Sequence, residues 1–139
     1  MDMKKFLTGT LVGGIAFFFL GYLFYGVLLN GFFAGHYTGG TMKTMEEIVW
    51  WALILGNLAS GAMLSYVFLK WANITSFGSG ASAGATLGFF IGLSMDLIRF
   101  ATEGTFDLTA SLSDVAVMTV MNAIAGGAIG GVLGMGNKS

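Results

Sequence analysis

Four uninterrupted apolar runs, each about the 20 residues needed to cross a bilayer core, constrain this chain more than any other feature. They cover roughly 6–29, 48–70, 77–100 and 112–135. Charged residues make up 9% of the 139 positions, against roughly a quarter in soluble domains. With a mean hydropathy of +0.82, the chain lacks the polar surface a water-soluble fold of this size requires. The expected fold class is all-α: a polytopic membrane protein forming a single four-helix transmembrane domain. Lys4 and Lys5 precede the first run as they would in a signal peptide. That run exceeds the usual h-region and no A-x-A site closes it, so we read it as a retained helix.

Four spans put both termini on one side of the membrane. Lys4, Lys5, Lys70 and Lys138 fall at one face, against Lys43 and Arg99 at the other. The positive-inside rule therefore predicts cytoplasmic termini, and a bacterial inner membrane is the expected location. The acids gather at the opposite, outer side: Glu46, Glu47, Asp96, Glu103, Asp107 and Asp114. Thr44 with Glu47, and Ser111 with Asp114, match the S/T-x-x-E/D capping box ahead of an apolar run. We expect these two acids to cap helix starts rather than to do chemistry. Trp50 and Trp51 suit an interfacial aromatic belt, and so does Tyr25, which can also reach inward toward Asp96.

Small residues recur at four-residue intervals. Gly80, Gly84, Gly88 and Gly92 form a ladder in the third run, and Gly126, Gly130 and Gly134 do so in the fourth. Such stripes let membrane helices approach backbone to backbone. The third and fourth helices are expected to pack closely on each other or on copies from another subunit. The abundance of glycine surface favours a homo-oligomer or a larger membrane complex. Two short matches, residues 18–21 with 89–92 and 57–62 with 122–127, suggest a pair of repeated hairpins.

The next step of the ladder after Gly92 is Asp96, with Arg99 three residues on, where the two can pair. Ionisable residues inside membrane segments default to a functional hypothesis. Asn57 and Asn122 each lie about nine residues from an outer helix start, at similar depth, and serve either as interhelical glue or as ligands lining a cavity with Ser60, Thr119 and Ser94. The candidate polar or solute site is therefore Asp96, Arg99, Asn57, Asn122 and Tyr25. No cofactor is expected. With no Cys and one His, His36, cysteine chemistry and multi-histidine metal sites are absent from the candidates, and no metal is expected. The net charge of −1 gives no footprint for nucleic acid.

Residues 21–29, Gly-Tyr-Leu-Phe-Tyr-Gly-Val-Leu-Leu, resemble the first-helix pattern G-x-x-[W/F]-Y-[G/S]-x-L-[L/F] of a family of small four-helix bacterial membrane proteins classed as a domain of unknown function. Phe24 stands where Trp is commoner in that family, and Val27 where Pro is common. The resemblance implies a four-helix fold and carries over no catalytic residues.

Two functions follow as expectations. The first is a structural, accessory or self-associating helical membrane protein. The second is a small oligomeric transporter or channel for a cation or polar solute, with Asp96, Asn57 and Asn122 lining an acidic outer vestibule. An enzyme is not expected, because no nucleophile, metal set or cofactor motif accompanies the acids.

Overall fold

In a computed structural model, residues 2–28, 31–32, 49–102 and 107–135 are described, with Tyr25, Gly26 and Leu28 described by backbone only. His36, Tyr37, Lys43, the Thr44–Glu47 capping pair, Glu46, Glu103, Lys138 and the side chain of Tyr25 lie outside the described residues. Four helices are long and apolar enough to cross a membrane. They are α1 (Met3–Gly21), α2 (Trp50–Val67), α3 (Phe77–Thr102) and α4 (Leu108–Met135). Widened π-type turns extend α1 over Tyr22–Leu28 and α2 over Phe68–Ala72. The chain is an all-α, multi-pass membrane protein, and no strand occurs among the described residues.

Local chemistry sets the helix ends. Asp2 caps α1, its Oδ1 accepting from the backbone N–H of Lys4 at 3.0 Å and of Lys5 at 3.3 Å, which satisfies donors that have no intrahelical partner. The α2–α3 connection is tight because Asn73 adopts the left-handed conformation, φ 52° and ψ 45°, which Asn tolerates better than most side chains. The reversal lets the Ile74 N–H donate to the Phe68 carbonyl at 3.0 Å. Ile74 is thereby tucked into the core. Ser76 then caps α3 by accepting from the Ser79 N–H at 3.2 Å.

The start of α4 differs from expectation. Its cap is Asp107, whose Oδ1 accepts from the Ala110 N–H at 2.8 Å, and the helix begins at Leu108 rather than near 112. Ser111 and Asp114 are therefore not a capping box. Both lie inside the helix, and Ser111 is buried. The pattern misled because Asp107 is an equally good N-cap residue one turn earlier.

The helices pack as two antiparallel hairpins, α1–α2 and α3–α4, joined through α1 against α4, so their order across the bundle is α2, α1, α4, α3. Half of the α4 span is buried, against 22% of each of the other three, which makes α4 the central helix. Phe17, Leu64, Phe68, Met121, Ile129 and Leu133 fill the space where α1, α2 and α4 meet. The outward faces are apolar as well: Leu7, Leu11, Ile15 and Phe19 form an exposed stripe on α1, and Trp51 and Trp71 project from α2. Lipid is as apolar as these side chains, so the helices cohere through close van der Waals approach rather than through exclusion of water.

Candidate polar site

The approach is closest between α3 and α4. A Cβ added at Gly84 would collide with the Asn122 carbonyl oxygen, and one at Gly126 with the Gly80 carbonyl oxygen. Further along, a Cβ at Gly88 would come within 2.6 Å of the Asn122 Cβ, and one at Gly92 within 3.1 Å of the Met118 Cβ. Gly130 and Gly134 press on the carbonyls of Ser76 and Thr75. The two helices therefore run antiparallel with each rung of the α3 ladder against successively earlier turns of α4. Close contact across the ladder extends from Gly80 to Gly92.

Asp96 occupies the next rung. It is 3% exposed, because the ladder that holds the backbones together delivers it into the same interface. Its neighbour across that interface is Asp114, whose carboxyl lies within side-chain hydrogen-bonding reach. The two acids are level with each other, each six residues from the helix end at the 103–107 connection, or about 9 Å along the axis. Helices of 26 and 28 residues are about 39 and 42 Å long, which exceeds the ~30 Å hydrocarbon core. A hairpin centred in the bilayer then places the acid pair a few ångströms inside the edge of the hydrocarbon, where an ionisable group costs less than at the midplane.

The compensating charge is partial. Arg99 Nη1 lies 3.9 Å from Asp96 Oδ1, and the arginine is 44% exposed. The guanidinium is thus partly solvated. The second carboxyl oxygen of Asp96, Oδ2, is buried with no hydrogen-bond partner. Burying such a group unsatisfied is costly. The other buried polar atom without a partner among the described residues is Ser65 Oγ, which is pressed against Gly9 in the α1–α2 contact.

The remaining candidates are elsewhere. Asn122 is 4% exposed, and its Nδ2 donates to the Met118 carbonyl of its own helix at 2.8 Å. Asn57 lies in the other hairpin, where its Nδ2 donates to the Leu53 carbonyl at 2.9 Å. It lines an apolar groove of about 300 Å³ between α1 and α2, with Leu11, Ile15, Phe18 and Ile54 among its neighbours. Neither amide reaches for the other, and the groove includes neither Asn122 nor Asp96. Ser60 and Thr119 likewise donate to carbonyls one turn back, those of Gly56 and Val115. The structure therefore brings together Asp96 and Arg99 from the expected set, adds Asp114, and leaves Asn57 on a separate surface. Among the described residues no group of three or more His, Cys, Asp or Glu is placed to hold a metal ion.

Sequence reasoning missed Asp114 because it assigned that residue to a cap. The equal distance of Asp96 and Asp114 from the short 103–107 connection was the signal that could have found it. In an antiparallel hairpin, positions equidistant from the turn face each other. A scan against family models, a search of curated proteins and a search of solved structures each return no match.

Proposed function

We propose that this chain is a small membrane protein that binds a cation or polar solute from the outer side at Asp96 and Asp114 and passes it across the bilayer, as a transporter or channel subunit. The observation that supports this reading is the buried Asp96 carboxyl, with an unpartnered oxygen, in an apolar helix interface that it shares with the half-buried Asp114. A purely structural interface has no need of two acids there, since apolar residues of similar size would pack without desolvating charge. Acids concentrated at the outer ends would also raise the local concentration of cations by field focusing. The lysine distribution orients this reading: both termini in the cytoplasm of a bacterial cell, with the acid pair near the outer face.

The experiment is flux into liposomes carrying the purified protein, with Asp96→Asn and Asp114→Asn as isosteric variants. The proposal expects cation- or proton-coupled flux in the wild type that falls at least tenfold in either variant. Unchanged flux in both would remove the pair from the pathway.

A second reading, a structural or accessory protein that assembles with other helices, draws on the exposed aromatic surface of α2, where Trp50, Trp51, Tyr66 and Trp71 project outward. It no longer draws on surplus glycine. Gly80 to Gly92, Gly126, Gly130, Gly13 and Gly61 are all closed against neighbours within the chain. Native mass measurement in detergent separates the readings: a strict monomer removes self-association and leaves the carboxyl site intact.

A further inference from the structure

We infer that the groove between α1 and α2 is a site for an anionic phospholipid, with its phosphate between Lys4 and Lys70 and one acyl chain in the groove. The groove encloses about 300 Å³, and Leu11, Ile15, Phe18, Ile54, Asn57 and Leu58 are among the residues that line it. Each wall belongs to a stripe that ends in a lysine. On α1, Ile15, Leu11 and Leu7 are exposed at four-residue steps, and three residues before Leu7 stands Lys4, also exposed. On α2, Ile54 and Leu58 line the groove, and the same four-residue step continues through Ala62 and Tyr66 to the exposed Lys70. Side chains at such steps share a helix face. The two lysines are also level. Gly9 lies against Ser65 and Gly13 against Gly61, while Lys4 precedes Gly9 by five residues and Lys70 follows Ser65 by five.

Charge and length select the occupant. At this end of the bundle the described charged side chains are Lys4, Lys5 and Lys70 against Asp2, whose carboxylate accepts from the backbone N–H groups at the start of α1. The opposite end carries Asp96, Asp107 and Asp114 against Arg99 among the described residues, so an anionic headgroup is favoured at the lysine end and repelled at the other. Leu11 and Ile15 lie about 10 and 16 Å along the helix from Lys4, and one leaflet of the ~30 Å hydrocarbon core is about 15 Å deep. A chain from the lysine-side leaflet therefore ends inside the groove. At the far end Phe18 meets Trp50, with ring centroids 6.4 Å apart. Near the lysines, Tyr66 packs edge-on against both Phe6 and Trp71, an aromatic set of the kind that membrane interfaces favour. The groove has no charged lining residue, and the amide of Asn57 donates to the Leu53 carbonyl, so the space suits a hydrocarbon chain better than a polar solute.

The test is lipid retention by the full chain in detergent micelles, read by native mass spectrometry with phosphatidylglycerol and phosphatidylcholine of identical chains. The expected result is a one-to-one complex that prefers phosphatidylglycerol by about tenfold or more. Lys4→Gln and Lys70→Gln should each reduce that preference roughly fivefold, the worth of one lysine near an anionic surface. Ile15→Trp and Leu11→Trp, at positions 50% and 57% exposed, fill the groove without disturbing the helix contacts. They should lower retention of phosphatidylglycerol at least about fivefold, with helicity by circular dichroism unchanged. Glycerol phosphate, the headgroup without chains, should not displace the lipid at equal concentration, and Asp96→Asn should leave retention as it is. Equal retention of the two lipids, lysine variants that keep the preference, or displacement by glycerol phosphate would each overturn the inference. A dimer that Ile15→Trp abolishes would give the groove to a second copy of the chain and overturn it as well.

Discussion

The two hairpins of this bundle have similar ingredients and different outcomes. Both place glycines at helix contacts: in α1–α2 a Cβ on Gly13 would approach the Gly61 Cα at 2.8 Å. There the glycine contact is local. Gly14 meets the side chain of Leu58, Gly9 meets Ser65, and beyond them the helices part around the apolar groove that holds Asn57. In α3–α4 the ladder is continuous on α3, so backbone faces backbone at Gly80 and Gly84, and the side chains of Asn122 and Met118 close directly on Gly88 and Gly92. Continuity decides whether a polar residue at the next rung is buried. Asn57 beside an interrupted stripe remains half-exposed, whereas Asp96 at the end of an unbroken one is sealed against α4.

The largest effect should come from breaking that continuity. Gly84→Leu has no volume to occupy, because the Asn122 carbonyl already fills the position of the first added carbon. It should abolish the folded α3–α4 pair, read as loss of the thermal transition in detergent. Gly84→Ala should cost about 1–3 kcal/mol by overpacking. The matching control is Gly56 in α2, where an added Cβ meets nothing within 4 Å. Gly56→Ala should change stability by less than about 1 kcal/mol, with the sign set by helix propensity. If the two alanine variants behave alike, the contrast between the hairpins is wrong.

The buried amide offers a smaller test. Asn122→Ala removes a nearly inaccessible side chain whose amide donates within its own helix. It should lower stability by about 0.5–1.5 kcal/mol, the worth of a typical intramolecular hydrogen bond. Asn57→Ala, at the groove, should lower it by less than about 0.5 kcal/mol, as for substitutions away from packed features. Chemical denaturation in mixed micelles can rank the two. Equal losses would mean that the groove is as well packed as the ladder.

A last contrast comes from the turn joining the hairpins. Asn73 holds φ 52°, so Asn73→Gly should be neutral within a few tenths of a kcal/mol, while Asn73→Val should cost about 1–2 kcal/mol by forcing a β-branched residue into the left-handed region. Thermal midpoints of the two variants check the difference. A tolerated valine would show that the turn is not as tight as described.

Much of this was legible in the residues. The four spans follow from run length and lack of charge, and the α3 ladder together with Asp96 as its continuation follows from strict four-residue spacing. The position of Arg99 one turn beyond Asp96 predicted their pairing, which the 3.9 Å separation shows as a loose one. What spacing could not convey was which faces are spent inside the chain. A glycine stripe has the same pattern whether it meets α4 or a second copy, so the surplus once seen in Gly126 and Gly130 disappears only when Gly80 and Gly84 are found against them. Equal depth likewise says nothing about azimuth, and so Asn57 and Asn122 shared a level without sharing an interface. Asp114 was hidden by a local motif that competed with a better cap at Asp107, which only the hydrogen bond to Ala110 resolves.

Everything proposed for the site depends on Asp96 meeting Asp114, and the chain, which contains no Cys, allows that to be measured without a background of native thiols. The double variant Asp96→Cys/Asp114→Cys, treated in native membranes with a short bifunctional maleimide, should crosslink within one chain. Asp96→Cys/Asn57→Cys under the same conditions should not. Efficient crosslinking of the first pair alone is the result predicted here. Crosslinking of the second pair, or failure of the first in a protein that still folds, would contradict the arrangement on which the site rests.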